Sequence, residues 1–544
     1  MSVRSLLMVL GATAVWLFLA AIISVSLADS PGQLAKTASP TDSNDDANRC
    51  IECHSAEVTG FLGSKMAHSM RTGAHEPAGL VQIPGTTIRM YTDKNGSWQT
   101  LEHGGYKMTY HVDYVIGSGT HATGYLIKLG DHLFQSPVSY YSRLAAYALA
   151  PGYEQQAYPN FSRPVGESCV FCHAGSFNAV AGTQNEYRGT PFPHPAISCN
   201  RCHGDVTAHL ENPNAANIVN PENLNTAARD SVCEQCHLIG VARVLNPGKR
   251  FSDFQVGQPL EETFTIYRSE APKGTMVPFR VISQSEQLAL SKCKIKSGEK
   301  MWCGTCHDPH YEPIDPVTYF REKCMQCHAK TAFSPDHPPK TSNCIGCHMP
   351  TRDAKDGRHT AFTDHRIQLI SENGPAEEAA FPGKEASSIV PWRASPPKLA
   401  KRNLGIALVN IGMETNSLKQ VASGYQMLAE VQQKFSQDCE MYYAMGTALY
   451  LEKRYGGAVH AFEQAVRFDP ISSPKEASLG QAYAAMGDQK QAEQHLEKAM
   501  ELDSMNLTAA ALLISVYQRT GESKKASELS RKIARLAHIT FMGK

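Results

Sequence analysis

Between Trp302 and His348 one pentapeptide pattern occurs three times, as Cys303-Gly-Thr-Cys306-His307, Cys324-Met-Gln-Cys327-His328 and Cys344-Ile-Gly-Cys347-His348. A stretch interrupted so often has little room for a side-chain core. Four more copies lie upstream, at Cys50/Cys53/His54, Cys169/Cys172/His173, Cys199/Cys202/His203 and Cys233/Cys236/His237. Cys-x-x-Cys-His is the spacing that attaches a c-type haem. The two thiols form thioethers to the porphyrin, and the adjacent histidine becomes the proximal iron ligand. Seven copies imply seven covalent haems.

Of the 16 cysteines, 14 belong to these motifs, leaving Cys293 and Cys439 over. Zinc ribbons and disulfide frameworks also use paired cysteines. Neither has a reason to place histidine directly after every second cysteine. Cys293 stands between Lys292 and Lys294, a setting that lowers a thiol pKa if it is exposed. A Cys293–Cys439 bridge is an alternative that would tie the two halves of the chain together.

The chain has 52 basic and 52 acidic residues and no net charge, so nothing in it calls for a nucleic-acid partner. After Arg4 an uncharged run rich in Leu, Val, Ala and Ile extends to Ser26-Leu27-Ala28. Its end resembles a small-x-small cleavage site, while its length also suits a bilayer span. Residues 1–28 are therefore read as a secretory signal or an N-terminal membrane anchor. Both place the rest of the chain in the periplasm or another extracytoplasmic space, where thioether attachment of haem takes place in bacteria.

Residues 29–48, rich in Ser, Asp, Pro and Thr, read as a flexible tether. The seven-haem region is expected over 49–370, with a helix from Ser55 to Arg71 that carries Met66, His68 and Met70. A small antiparallel β insertion is expected at about 83–141. Thr87–Thr92 and Ser97–Glu102 flank Asp93-Lys-Asn95-Gly96, a hairpin signal, and Lys107–Ile116, Thr123–Leu129 and His132–Ser136 continue the strand pattern. From Ser168 onward, short helices starting near each motif must use porphyrin as their core. Residues 371–397 read as a linker.

Over 398–538 the pattern changes to a period of about 34 residues. Gly446 matches Gly480, Ala458 matches Ala492 and Ala526, Phe462 matches Leu496, and Gly487 matches Gly521. Small and aromatic residues recur where paired antiparallel helices touch, as in tetratricopeptide repeats. Leu399–Phe435 reads as a degenerate capping pair. The fold expected is mainly α with a small β insertion: a haem-cored region followed by an α-helical solenoid that is separable from it.

The sixth ligand of each iron decides between electron carrier and catalyst. Twelve histidines outside the motifs precede residue 366 and three follow it, an asymmetry that favours bis-histidine centres. His310 trails His307 by three residues, too short a tether to reach the opposite face of the same porphyrin, so it is expected to ligate a neighbouring haem. His209, six residues after His203, invites the same argument. His121, in a glycine-containing turn, His359 and His365 around Ala361-Phe-Thr-Asp364, and His68 complete the distal candidates. His75, His103, His111, His132, His194 and His337 carry no stronger signal.

The stretches Tyr114-Val-Ile-Gly-Ser-Gly-Thr-His121-Ala, Ile197-Ser-Cys199-Asn-Arg-Cys202-His203-Gly, Trp302-Cys-Gly-Thr-Cys-His-Asp-Pro-His310 and Phe362-Thr-Asp-His365-Arg-Ile resemble exported multihaem cytochromes of the cytochrome c-554 type fused to tetratricopeptide repeats. The resemblance implies that His310 and His209 ligate neighbouring haems. It also implies a histidine where this chain has Gln284, so that one haem has lost a distal ligand. Catalytic relatives often mark the active haem with Cys-x-x-Cys-Lys, and no such segment occurs here. The function expected is electron transfer through seven haems, with redox partner proteins and a protein or peptide docked on the repeat. The alternative is an oxidoreductase acting on a small nitrogen or sulfur compound at one five-coordinate haem.

Overall fold

The computed structural model describes residues 45–73, 75–270, 278–333, 335–368 and 388–541. The signal or anchor run 1–28, the tether to residue 44 and the linker to residue 387 lie outside the described residues. Among the described residues no helix is long and apolar enough to cross a membrane.

Asp45–Cys50 is helical, so the end of the expected tether already belongs to the first motif. The following helix covers only Ser55–Leu62, not Ser55–Arg71. It stops at Gly63, and Met70 is a buried strand residue, so Met66, His68 and Met70 share no helix.

The β region is larger than expected, running from Met70 to Pro164. A five-stranded antiparallel sheet is ordered Ile539–Phe541, Tyr106–His111, Gly96–His103, Thr86–Asp93, Gly79–Ile83. A second sheet is ordered Met70–Thr72, Tyr114–Ile116, Ala122–Leu129, His132–Gln135, Arg163–Pro164, with Val138–Tyr141 pairing beside Ala122–Leu129 and Ala146–Leu149 beyond it. Its edge strands are too short to carry a readable alternation, which is why sequence pattern missed them.

The hairpin forms at the expected place, Asp93 pairing with Gly96. Only Gly96 takes a positive φ, 122°, while Asn95 is held by the Asp93 carboxylate at 2.7 Å. The expected strand Lys107–Ile116 is two strands: the Val112 amide bonds Ser97 of the first sheet and Asp113 bonds Leu126 of the second. Ile88, Leu101, Met108, Ile127, Phe134 and Val138 join the two sheets in one apolar cluster, to which the C-terminal region adds Met505 and Ala537.

The region rich in motifs is built of short helices. Asn200–His203, Cys303–Cys306 and Cys344–His348 begin within or beside a motif as expected. The two longest, Thr226–His237 and Pro316–His328, instead end in one. Ile389–Pro391, expected in the linker, is the third strand of a sheet with Ala242–Leu245 and Phe264–Ser269. Beyond it Arg393 bonds Glu234 and Glu261, which locks the chain onto the helix of the fourth motif.

The C-terminal region stacks helices Ala400–Thr415, Leu418–Val431, Cys439–Leu451, Tyr455–Phe468, Ser473–Met486, Gln489–Leu502, Leu507–Arg519 and Ser523–Leu536. The recurrence of glycine along it has a steric cause. A methyl group at Gly446 would lie 2.6 Å from the Phe462 ring, and one at Gly480 would lie 2.7 Å from Leu496.

The solenoid is fastened to the rest of the chain at both ends. At one end the fully buried Arg402 makes a two-pronged bond to Asp438, at 2.8 and 2.9 Å, and a third to the Leu245 carbonyl. At the other, His132 of the β region bonds the buried Asp503 at 2.9 Å, Tyr110 donates to the Ala537 carbonyl, and Ile539–Phe541 completes the first sheet. The sequence pattern could not reveal these bonds, since every partner lies more than a hundred residues away or on another element.

Candidate functional site

Each Cys-x-x-Cys-His segment folds as a single tight turn. The histidine amide bonds the first cysteine carbonyl at 2.9 Å for His54, His203 and His307. In this turn the two thiols fall on one side and the imidazole just beyond them. No two of the cysteines are joined in a disulfide.

Four motif histidines face a second imidazole. The ring centres of His54 and His209 lie 6.3 Å apart, His203 and His310 6.0 Å, His307 and His365 6.1 Å, and His348 and His337 6.1 Å, with interplanar angles of 30°, 19°, 29° and 14°. Stacked rings in contact would stand about 3.5–4 Å apart. Two imidazoles on opposite sides of one metal ion, each at about 2 Å from it, have centres about 6 Å apart.

The anchoring of these rings is equally consistent. Nδ1 lies 2.8 Å from the Val219 carbonyl in His203, 2.9 Å from Gln368 in His348, 3.0 Å from Asn214 in His209, 3.0 Å from Thr363 in His365 and 2.6 Å from Pro338 in His337. An imidazole that donates Nδ1–H to a carbonyl presents the Nε2 lone pair to a metal. Solvation agrees. Desolvation lowers the pKa of His173, His203, His237 and His365, and that of His307 to about 4. His237 and His307 are nonetheless exposed.

The segment around them has no apolar filling of its own. Between Val281 and Arg366 the only buried hydrophobic residue among those described is Ala354. Helix Pro316–His328 buries none of its residues, although it contains Val317, Tyr319, Phe320 and Met325. Large planar apolar groups bound through the thiols would supply the missing contacts, so the residues present fit c haems.

The motifs also meet one another. His209 links the first motif to the chain after the third, and His310 links the third to the fifth. Cys172 of the second motif reaches the Gln235 carbonyl in the fourth at 3.3 Å. Cys233 and Cys303 of the fourth and fifth adjoin, as do Cys306, Cys324 and Cys344 of the last three. No motif among the seven stands isolated.

Among the described residues the other distal candidates have different neighbours. His121 packs on Phe362 at 4.2 Å, His359 packs on Tyr141 at 5.2 Å with φ of 62°, and His68 is exposed in a turn. His337 is the residue that sequence reasoning undervalued. Its signal was its place in a proline-rich loop between two closely spaced motifs. Cys293 and Cys439 form no bridge, and burial pushes both thiols up, Cys439 to about 11, so the flanking lysines do not activate Cys293. Cys439, Glu440 and Asp469 converge, and the Lys475 ammonium bonds both carboxylates at 2.8 Å, occupying the place between them.

Residues 440–472 and 477–504 match the tetratricopeptide repeat family model. Over 83 residues, 15% of this chain, the sequence is 37% identical to cellulose synthase operon protein C of Escherichia coli strain K12 and to the putative protein of that name in Escherichia coli O157:H7. The chain spans 7% of the length of those relatives. Similar solved structures include MamA from Desulfovibrio magneticus RS-1, at 21% identity over 26% of this chain and 86% of that one with a TM-score of 0.23. Another is a thermophilic tetratricopeptide protein of Thermus thermophilus, at 18% identity over 25% and 73% with a TM-score of 0.22. The C-terminal region carries tetratricopeptide repeats, an architecture that docks proteins.

Proposed function

We propose that this chain is an exported multihaem cytochrome that carries electrons along seven covalently bound c haems. The single observation behind this reading is the set of four imidazole pairs, each with ring centres 6.0–6.3 Å apart and at least one ring anchored through Nδ1. Cys50, Cys53, Cys169, Cys172, Cys199, Cys202, Cys233, Cys236, Cys303, Cys306, Cys324, Cys327, Cys344 and Cys347 would hold the porphyrins, with the motif histidines beneath them. Haem iron with two imidazole ligands supplies one-electron transfer without opening a position to substrate. The role of the protein is to fix ligand rings, exclude water and keep neighbouring centres close.

The repeat then docks a protein that donates or receives electrons. Its attachment to the β region and to the fourth motif holds such a partner in fixed relation to the haems. The N-terminal run would place the molecule in the periplasm, free or tethered to the membrane.

Intact mass and a pyridine haemochrome assay on purified protein should give seven covalent haems per chain. A colourless product, or a pigment extracted by acidified organic solvent, would refute the assignment.

A further inference from the structure

The loops of the second, third and fourth motifs mesh through residues that stand between their cysteines, Phe171, Arg201 and Gln235. The Arg201 guanidinium lies over the Phe171 ring at 4.7 Å and donates to the Phe171 carbonyl at 2.6 Å. The Gln235 amide donates to the Arg201 carbonyl at 2.9 Å, and both Phe171 and Gln235 are buried. Cys172 Sγ, the atom that would carry a thioether bond, closes the circle 3.3 Å from the Gln235 carbonyl.

A second guanidinium enters from outside the motifs. Strand Ala242–Leu245 brings in Arg243, whose Nη1 lies 3.7 Å from Cys172 Sγ while its Nη2 donates to the Leu238 carbonyl, one residue past His237. Backbone carbonyls and a sulfur atom are neutral partners. Among the described residues no carboxylate bonds Arg201 or Arg243, and Nε of each is buried without a hydrogen-bond partner. Glu167, at the start of the second motif, is held by Arg250 at 3.4 Å. Where the fourth motif meets the fifth, Asp230 and Glu234 act on Cys303, and each has its own arginine, Arg229 and Arg393. Positive charge is thus in excess where the second, third and fourth motifs meet, and not beside the fifth. The Cys172 thiol registers that field: the adjoining Cys236 thiol lowers its pKa most, and, against desolvation, Arg243 and Arg201 lower it further.

The propionates of a c haem leave the porphyrin edge opposite its thioether bonds, so those of a haem on Cys169 and Cys172 would point away from this charge. Fixed positive charge favours adding an electron to a nearby iron, the more so where burial lowers the dielectric. Resting on the haem reading above, we propose that Arg201 and Arg243 raise the reduction potential of the haem held by Cys169 and Cys172, making it the centre in this part of the relay where electrons collect. Both arginines act through their field and bind neither iron nor substrate.

The test compares the full-length wild type with Arg243→Gln, Arg201→Gln and Arg243→Lys. Intact mass and pyridine haemochrome come first, and fewer than seven haems in the wild type overturns the cytochrome reading itself, separately from this proposal. Potentiometric titration followed by haem absorbance is then expected to show one haem equivalent moving to lower potential in each glutamine variant, by about 59 mV, a tenfold change in a one-electron equilibrium constant. Arg243→Lys keeps the charge and should titrate like the wild type, which a purely packing role would not give. Where one glutamine variant loses a haem, the other decides. Unchanged potentials in the glutamine variants, an equal fall in Arg243→Lys and Arg243→Gln, or loss of haem from both glutamine variants overturns the proposal.

Discussion

The solenoid and the segment from Cys303 to His348 are built on opposite principles. In the solenoid Ala458, Phe462, Ala465, Leu479, Leu496 and Ala499 are buried at 4% exposure or less, and every helix packs on the next through its own side chains. In the Cys303–His348 segment the one helix of similar length, Pro316–His328, buries nothing, and what comes together is imidazole and thiol. Both are helical, so secondary structure does not distinguish them. Helical geometry needs only a few satisfied hydrogen bonds, but holding helices together needs an apolar filling. One region carries that filling in its sequence, and on the proposed reading the other would take it from bound haem.

The sharpest way to break this contrast is to make the protein without haem attachment. Residues 298–366 should then lose their ordered structure and be cut early in limited proteolysis, whereas a fragment covering the solenoid should persist. Equal resistance in both regions would mean that the segment has a core of its own. The next largest effect is expected at the junction. Arg402→Ala leaves Asp438 buried and unpaired, so it should cost about 3–5 kcal/mol in denaturant unfolding. The seven-haem spectrum should survive below the transition, and a stability within about 1 kcal/mol of wild type would show that this buried pair contributes little to the fold.

Ligand substitution tests the other side of the comparison. His337→Ala should convert one low-spin haem to a high-spin or water-ligated centre while solenoid unfolding stays unchanged. Low-spin content identical to wild type would remove His337 from the ligand set. The smallest effect is a pH dependence in the β region, far from any motif. Asp113 holds His111 above the usual histidine range, with partial desolvation opposing it. A histidine raised on folding stabilises fully below its unfolded value, about pH 6.5, and that contribution fades as pH rises through the folded value. Wild type should exceed His111→Asn by a few tenths of a kcal/mol at pH 5.5, and the gap should close by pH 8. A gap that widens with pH would reverse the assignment.

The contrast also separates what could be read from the chain in order. The pentapeptides stood out because two thiols and an imidazole fall within one turn of chain, the spacing that thioether attachment would need. The repeat did so because Gly446 and Gly480 must admit Phe462 and Leu496 from the very next helix. The hairpin at Asp93–Gly96 was legible for the same local reason. Legibility failed where a partner comes from far away. Ile389–Pro391 looked like linker because a three-residue strand is defined only by the strand it joins. His337 looked no better than His75 until its ring was found opposite His348.

By itself, then, the sequence determined the number and positions of the Cys-x-x-Cys-His motifs and that a stack of paired helices follows. Only the tertiary structure decided which imidazoles face each other and that the solenoid is fastened at both ends. The reason is range. A covalent attachment motif and a helix-pair contact are each complete within a few turns of chain, whereas a second axial ligand or a completing strand has no signature until folding brings two distant segments to the same few ångströms.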